Sequence, residues 1–345
     1  MRGYLTAVVM LCIVALSGCS RDSTGKGRII NDLEYVTPET VGWSTAGLEE
    51  AEKCAEETGS AAVMALYDGK VFFSWGDIGG RYPCHSIRKT FLSALYGIYE
   101  ERGKIDLGLT VGELGIDDIP PCLTSVEKSA TIRDLLSSRS GVYHEAAGES
   151  RSMMERRPVR GSHLPGLFYY YNNWDFNVLG TIFEQQTGEK IFEAFNREIA
   201  VPTGMEDFRV SDCRYSYENE KSSHPAYFFS MSARDMARFG LLYCNGGRWG
   251  KRQIIPSEWI AESTKAYTLK GVGGDGYGYM WSVISEEAGF GRGFYHTGYG
   301  NHLLAVLPEK KIVLVHRVDT SREYDVRWPQ VRALMYMIVS ARTVD

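Results

Sequence analysis

This chain is organised around one helix start, Cys84-His85-Ser86-Ile87-Arg88-Lys89-Thr90-Phe91. If the helix begins near Ser86, then Ser86 and Lys89 lie three residues apart on the same face of one turn. Serine is a poor nucleophile until a base takes its proton, and a lysine held in a partly desolvated cleft shifts toward the neutral amine that can do this. The pair therefore predicts a nucleophile, Ser86, and its base, Lys89. Since this spacing is common in proteins of any function, the prediction needs support from the rest of the sequence.

Composition excludes one large class of partner. Of the 345 residues, 44% are hydrophobic and 23% are charged, which is typical of a globular protein with one large core or two modest ones. The 38 Lys and Arg residues and the 43 Asp and Glu residues give a net charge of -5, without any basic block. We therefore expect no nucleic-acid partner.

Residues 1–18 are predicted to be a signal peptide. Arg2 supplies a positive start, and residues 4–16 form an apolar run that is too short to span a bilayer comfortably. The segment ends in Leu16-Ser17-Gly18-Cys19, which resembles the bacterial lipobox, in which the cysteine is lipidated and becomes the mature N-terminus. An ordinary secretory signal, or an uncleaved anchor that happens to end in cysteine, is the alternative.

The lipobox resemblance implies a protein held in the cell envelope by a lipid on Cys19, with residues 19–35 as a tether. Ser20, instead of Asp, at the next position favours the outer membrane, with the protein facing the periplasm or the cell surface. The membrane would then be a partner through this lipid. The oligomeric state stays open.

Cysteine and glycine patterns predict neither a metal site nor a cofactor. Once Cys12 is removed with the signal and Cys19 is lipidated, five cysteines remain, and their spacing gives no CxxC or metal-ligand pattern. They cannot all pair, and whether any do is left open. The run 271–276 matches the glycine pattern of dinucleotide-binding loops, but it precedes a predicted strand, whereas that motif follows a strand into a helix.

Local patterns predict the order of helices and strands. Helical spacing over Thr45–Thr58 is followed by apolar runs at 61–67 and 71–75, which Asp68-Gly69 joins as a hairpin. From Ser86 to Gly103 the apolar spacing predicts one amphipathic helix. Further helices are predicted at 131–136, 174–186, 191–200, 232–245, 257–265 and 328–341, and further strands at 277–284, 293–297, 302–307 and 312–318.

Since the strands lie at the two ends of the chain, we predict an α/β (α+β) fold in which the ends meet in one sheet. This antiparallel five-stranded sheet would be flanked by N- and C-terminal helices and would carry an inserted all-helical domain. Residues 36–345 would contain both parts, with 36–85 and about 265–345 as the α/β part and about 86–264 as the mostly helical part. A cleft between the parts is the default place for a site.

Two further motifs are Tyr169-Tyr170-Tyr171-Asn172-Asn173-Trp174, just before a predicted helix, and His296-Thr297-Gly298, near the end of a predicted strand. With Ser86 and Lys89 they resemble, in order and in setting, the SxxK, YxN and Lys/His-Thr-Gly motifs of the serine β-lactamase and penicillin-binding protein superfamily. The resemblance covers essentially the whole mature chain. It is greatest to the class C β-lactamase-like branch, which also contains esterases, D-amino-acid peptidases and aminohexanoate-oligomer hydrolases.

The resemblance implies the β-lactamase/transpeptidase-like fold and a serine hydrolase that cleaves an ester, amide or peptide bond through an acyl-enzyme on Ser86. Tyr171 would share proton transfer with Lys89, first taking the Ser86 proton and later returning it to the leaving group, and a cation beside its phenol would lower the phenol pKa. Asn173 would donate to the substrate carbonyl side and hold Lys89. A small molecule or a peptide is the expected substrate.

The same resemblance assigns the substrate and oxyanion side of the site. The backbone N–H groups of Ser86 and Tyr299 would form the oxyanion hole. Gly298 would let the strand come close to substrate, next to His296 and Thr297. Taken singly, each motif residue also has an ordinary structural explanation: a solvated Lys89, a core Tyr171, a helix cap at Asn173 for a helix starting at Trp174 and a strand-end His296.

His296 departs from the family pattern, since most members place a lysine there, whose charge helps to bind a substrate carboxylate. A histidine of ordinary pKa is mostly neutral at neutral pH. This favours esters or amides without that carboxylate, and leaves β-lactamase or D,D-carboxypeptidase activity, or non-catalytic binding of penicillin or cell-wall peptides, as the alternatives. Arginines in the preceding loop are either anion receptors or solvated, and aromatic residues beside the motifs either wall a pocket or pack. The arginines are Arg151, Arg156, Arg157 and Arg160, and the aromatic residues are Tyr169, Tyr170, Trp174 and Tyr299.

Overall fold

The computed structural model describes residues 33–269, 275–285 and 290–343. The predicted signal peptide, Cys19 and nearly all of the predicted tether lie outside the described residues, as does 271–274 of the glycine pattern. The cysteines among the described residues form no disulfide with one another. They are Cys54, Cys84, Cys122, Cys213 and Cys244. Within the described ranges, no helix combines the length and the apolar character that a membrane span requires.

The helices of the described residues follow the predicted order. The α-helices are α1 (Thr45–Thr58), α2 (Arg88–Glu101), α3 (Ile132–Leu136), α4 (Arg151–Arg156), α5 (Asn173–Thr187), α6 (Ile191–Phe195), α7 (Val201–Thr203), α8 (Ala233–Cys244), α9 (Ser257–Ser263) and α10 (Trp328–Ser340). A π-helical stretch at Asn196–Ala200 joins α6 to α7, and a 3₁₀ turn at His85–Ile87 leads into α2.

Strands lie at both ends of the chain and in short pieces between them. They are β1 (Glu34–Tyr35), β2 (Ala62–Tyr67), β3 (Lys70–Gly76), β4 (Tyr82–Pro83), β5 (Arg214–Ser216), β6 (Ala226–Phe228), β7 (Ser230–Met231), β8 (Arg248–Trp249), β9 (Arg252–Gln253), β10 (Thr268–Leu269), β11 (Gly276–Tyr277), β12 (Ser282–Val283), β13 (Phe294–Gly298), β14 (His302–Leu307) and β15 (Ile312–Arg317).

The two ends of the chain meet in one sheet, as predicted, but the expected number of five strands is wrong. The described strands run in the order β1-β3-β2-β15-β14-β13-β12-β11-β10, and every pair is antiparallel except β1 with β3. Four of the nine strands have only two residues, which is too short to show an alternating pattern in sequence. The predicted strand 277–284 is interrupted by a turn in which Met280 has φ of 61°.

Both faces of the central strands are covered, so these strands are buried throughout. On β2, Val63 and Ala65 face the cluster around α1 and α10, while Met64 and Leu66 face the cluster that contains α2 and α8. The alternation follows from the two-residue period of a strand. The hairpin between β2 and β3 is confirmed, with Asp68 and Gly69 both at positive φ, as a two-residue hairpin turn requires.

Helix α2 differs from its prediction in a way that matters for the site. It is not amphipathic over the predicted length, because every residue from Arg88 to Tyr99 is buried. The helix is central to the larger core, and α5, α6 and α9 all contact it. The charged residues of its first turn, Arg88 and Lys89, are therefore desolvated.

The middle of the chain is mostly helical but not all-helical. Three two-stranded ribbons involve it: β5 with β6, β8 with β9, and β4 with β7. Each strand of these ribbons has two or three residues, which local patterns do not reveal. The division into an α/β part and a helical part remains a prediction.

Candidate active site

Ser86 sits in the 3₁₀ turn immediately before α2, so its side chain leaves the chain where the helix begins. His85 precedes it with φ of 47°, a left-handed conformation that is uncommon outside glycine. The His85 Nε2 atom lies 2.8 Å from Thr320 Oγ1, and burial, together with nearby arginines, lowers the pKa of His85 to about 4. A neutral imidazole therefore holds the turn that presents Ser86.

Lys89 lies at the centre of a set of three hydrogen-bonded side chains. Its Nζ donates to Ser86 Oγ at 2.9 Å and to Tyr171 OH at 2.5 Å. The amine also lies 4.4 Å from the ring centroid of Tyr171 and 4.5 Å from that of Phe176. Burial lowers the pKa of Lys89 well below its usual value, and the adjacent Arg88 guanidinium lowers it further. The geometry thus joins a serine hydroxyl, an amine biased toward its neutral form and a phenol.

Tyr171 differs from its prediction in its proton affinity. Burial raises the pKa of this phenol above its usual value, and this effect outweighs the lowering by Ser86 and Arg88. The expectation of a lowered pKa, which rested on a neighbouring cation, is therefore wrong, because that reasoning left out desolvation. Tyr171 keeps its proton at rest, so Lys89 is the better candidate for the base.

Asn173 lies in the site but does not hold Lys89. Its Nδ2 donates to the Gly148 carbonyl at 2.7 Å, and its buried Oδ1 has no hydrogen-bond partner. Nor is it the cap of the following helix: Asn172 is the cap, and its Oδ1 accepts from the Trp174 amide at 3.2 Å. The predicted role toward substrate remains open to Asn173, whereas the predicted contact with Lys89 is absent.

A buried network fixes the turn that carries Tyr171. Asn172 Nδ2 donates to the Val142 carbonyl at 2.7 Å and to Asp175 Oδ1 at 2.9 Å. Ser140 Oγ donates to the same carboxylate oxygen at 2.5 Å. Because these polar groups are buried and bonded to one another, they hold the start of α5 in one position. Sequence reasoning missed this network, since Ser140 lies 35 residues before Asp175 and Val142 lies 30 residues before Asn172.

Strand β13 packs against the segment that precedes Ser86. A Cβ on Gly298 would lie only 2.9 Å from the Cys84 carbonyl oxygen and 3.2 Å from His85 Cβ. Glycine is therefore required here for close approach of two backbones, whereas the prediction assigned that need to substrate. Tyr299, next in sequence, is 67% exposed, and its ring centroid lies 5.6 Å from that of His85. The oxyanion hole at Ser86 and Tyr299 stays a prediction.

His296 is buried on β13, near the phenol of Tyr171. Its ring centroid lies 6.2 Å from that of Tyr171, and its Nδ1 lies 2.8 Å from the Thr297 carbonyl oxygen. The imidazole thus occupies the wall beside Tyr171. Its role on the substrate side of the site stays a prediction.

One cavity of about 920 Å³ brings together all the residues predicted for catalysis, for substrate binding and for the oxyanion hole. These lining residues are Ser86, Lys89, Tyr171, Asn173, His296, Thr297, Gly298 and Tyr299. Aromatic side chains supply much of the remaining wall: Tyr169, Phe228, Tyr277, Tyr295 and Trp328. Of the other aromatic candidates, Tyr170 donates to the Met153 carbonyl and Trp174 is buried in the core. Sequence reasoning passed over Arg88, which also lines the cavity and stands next to Lys89 in the opening stretch.

The four loop arginines have different surroundings. Three form ion pairs: Arg151 with Glu155, Arg157 with Glu149, and Arg160 with Glu127. Arg156 is exposed at the cavity, and its Nε donates to the Ser152 carbonyl at 3.0 Å. Only Arg156 of these four, all of which are described, both lines the cavity and lacks an assigned carboxylate partner.

Comparison with known families gives a match over most of the chain. The family model described as Beta-lactamase matches residues 48–334. A D-aminopeptidase of Brucella anthropi is 26% identical over 174 residues, which is 42% of this chain. The match spans only 31% of that relative's own length, so this chain covers less than a third of it.

Solved structures of low sequence identity show the same fold. A D-stereospecific amidohydrolase from a Streptomyces species is 18% identical, with a TM-score of 0.61 over 87% of this chain and 98% of the other. A family VIII carboxylesterase is 14% identical, with a TM-score of 0.64 over 86% of this chain and 97% of the other. At sequence identities this low, the similarity shows a shared fold and nothing about activity.

Replacing Gly298 with Ala should separate β13 from the Ser86 turn, because the Cys84 carbonyl that it would meet is backbone and cannot rotate away. We expect the rate at which a fluorophosphonate labels Ser86 to fall by about 100-fold, since displacement of reacting groups by about 1 Å costs this much. The matched control is Gly108→Ala, where the only close atom is a carboxylate oxygen of Asp106. A wild-type labelling rate in Gly298→Ala would contradict the close-approach argument.

Proposed function

Because this chain belongs to the Beta-lactamase family, we propose that it is a serine hydrolase that cleaves an amide, ester or peptide bond through an acyl-enzyme on Ser86. One observation carries the proposal: the buried Lys89 Nζ is hydrogen-bonded both to Ser86 Oγ and to Tyr171 OH. A nucleophile, a base and a proton donor in direct contact are what acyl transfer needs.

In the acylation step, neutral Lys89 takes the proton of Ser86 as Oγ attacks the substrate carbonyl carbon. The desolvation that lowers the pKa of Lys89 supports this assignment, because it keeps a lone pair on the amine. The developing negative charge on the substrate oxygen would be held by the amides of Ser86 and Tyr299.

Collapse of the tetrahedral intermediate breaks the bond to the leaving group. Tyr171 gives its phenol proton to the departing nitrogen or oxygen and takes a proton from the Lys89 ammonium. The high proton affinity of the buried phenol supports this shuttle, because Tyr171 would return to its neutral form after each transfer. Water then attacks the ester on Ser86 by the same route in reverse, which releases the acid and restores the enzyme.

The class of bond that the enzyme cleaves is proposed from the names of similar proteins, and the character of the substrate is proposed from the residues of the cavity. The D-aminopeptidase, the amidohydrolase and the carboxylesterase to which this chain is similar act, by their names, on amides, peptides or esters. His296, in place of a permanently charged lysine, favours substrates that lack a carboxylate at this part of the cavity. The aromatic wall favours a substrate with an apolar portion.

We also propose that Cys19 carries a lipid that anchors the protein to the cell envelope. The proposal is supported by the apolar run and by Leu16-Ser17-Gly18-Cys19. The enzyme would then act at the membrane surface, through the tether at 19–35.

A fluorophosphonate probe should label the wild-type chain and not Ser86→Ala, because the probe reacts with an activated serine. Lys89→Ala and Tyr171→Phe should each lower turnover of a 4-nitrophenyl ester by about 100-fold to 10,000-fold while circular dichroism shows a folded protein. Equal labelling of wild type and Ser86→Ala would refute the assignment of Ser86 as the nucleophile. A near-normal rate of ester turnover in Lys89→Ala would refute the assignment of Lys89 as the base.

The pH profile should report the ionisation of Lys89. Since only the neutral amine accepts a proton, kcat/KM should fall as the pH is lowered through the Lys89 pKa. The charge of Arg88 lowers that pKa, so Arg88→Gln should move this acid limb to higher pH. Arg248→Gln is the matched control, because it removes an equal but exposed charge that does not line the cavity and that solvent screens. If the acid limb of the kcat/KM profile stays at the same pH in Arg88→Gln, the assignment of this limb to Lys89 is contradicted.

Lipid attachment can be tested in a bacterial host fed a clickable palmitate analogue. The full chain should incorporate the label and partition with membranes, whereas Cys19→Ser should do neither. Incorporation by Cys19→Ser at the wild-type level would exclude Cys19 as the lipidated residue.

A further inference from the structure

Arg88 is a buried cation in the wall of the proposed active site. The residue is 2% exposed and lines the cavity beside Ser86 and Lys89. Its guanidinium carbon lies 4.1 Å from the ring centroid of Tyr227 and 5.1 Å from that of Phe228. Phe228 also lines the cavity, so the charged end of Arg88 is at the cavity wall.

No carboxylate among the described residues forms an ion pair with Arg88. Its Nη1 is buried and has no hydrogen-bond partner, and the groups that favour its charged form are the phenols of Tyr227 and Tyr171. A guanidinium remains protonated in proteins, and a buried charge without a partner is costly. The contacts with aromatic rings offset part of this cost. They leave the hydrogen-bonding capacity of Nη1 unused.

The surroundings of Arg88 form a polar subsite next to the nucleophile. A Cβ on Gly148 would lie 3.5 Å from Phe228 Cζ and 4.0 Å from Asn173 Nδ2, so these three residues are contiguous. Asn173 has a second buried polar atom without a partner, its Oδ1, which is an acceptor and therefore suits a donor of the substrate and not its carboxylate. All four residues, Arg88 included, line the cavity.

We propose that Arg88 binds a carboxylate of the substrate, so that the enzyme selects esters or amides that carry a carboxylate. A carboxylate would accept hydrogen bonds from the guanidinium and compensate its charge, and arginine suits such planar recognition. This inference rests on the proposed function, and it adds the substrate class. The carboxylate site lies at the first turn of α2, whereas the family position on β13 holds His296 and no permanent charge.

Two ester pairs test the proposal, each differing in one group. The mono-4-nitrophenyl ester of adipic acid is compared with that of adipamic acid, which places the carboxylate or the carboxamide on the acyl side. The esters 3-carboxyphenyl hexanoate and 3-carbamoylphenyl hexanoate place it on the leaving-group side. We expect the wild type to prefer the carboxylate by about 10-fold to 100-fold in kcat/KM in at least one pair.

Variants assign the preference to one arginine. In Arg88→Gln the ratio of the two kcat/KM values should fall to near one, and Arg88→Lys should retain part of it. Both esters of a pair share one reaction centre, so the change that the substitution itself causes in the Lys89 pKa of the free enzyme acts on both esters and cancels in the ratio. Arg156→Gln removes the other arginine that lines the cavity and should keep the wild-type ratio, because Arg156 is exposed and solvent screens its charge.

The proposal is overturned if the wild type does not discriminate in either pair, if Arg88→Gln keeps the preference, or if Arg156→Gln abolishes it. The wild-type ratio needs no variant, so misfolding of Arg88→Gln does not prevent a decision. If no ester is turned over and Ser86 is not labelled by a fluorophosphonate, the proposed function fails. Calorimetry on Ser86→Ala then still decides the present inference, since adipamate should bind at least about 10-fold more tightly than adipamide.

Discussion

The burial of one amine determines how this site works. Lys89 lies inside the core, where it bonds to Ser86 Oγ and Tyr171 OH. An isolated ammonium is unfavourable there, so burial lowers the pKa of Lys89 and shifts it toward the neutral amine. Desolvation likewise raises the pKa of the Tyr171 phenol, which favours its protonated form. The proposed base and the proposed proton donor thus have one physical cause, and the proposed catalytic roles depend on it.

The rest of the fold positions groups around that amine. Helix α2 is buried on all sides, so Lys89 has little freedom to move toward solvent. The Asn172 and Asp175 network fixes the turn that presents Tyr171, and Gly298 lets β13 approach the Ser86 turn. Three elements far apart in sequence are therefore held by independent contacts. This is the preorganisation that acyl transfer requires.

Local sequence rules predicted what depends on local structure. The bounds of α1, the Asp68-Gly69 hairpin and strands β14 and β15 follow from period and turn chemistry, and the structure has them. The three motifs also predicted which residues meet in one cavity. Two-residue strands could not be predicted, because pairing with a neighbour creates them. Proton affinities could not be predicted either: the phenol of Tyr171 responds to burial, which is a property of the whole core.

In the proposed function, Arg88 would connect catalysis with recognition. Its charge lowers the pKa of Lys89 in the free enzyme, which favours the neutral amine. If a substrate carboxylate binds the guanidinium, the two charges offset each other, and Lys89 then experiences less of the positive field. The amine would gain proton affinity at the moment when it must take the Ser86 proton. A substrate with the right charge would strengthen the base, whereas a neutral analogue would leave it weaker, so charge selection would act on the chemical step as well as on binding.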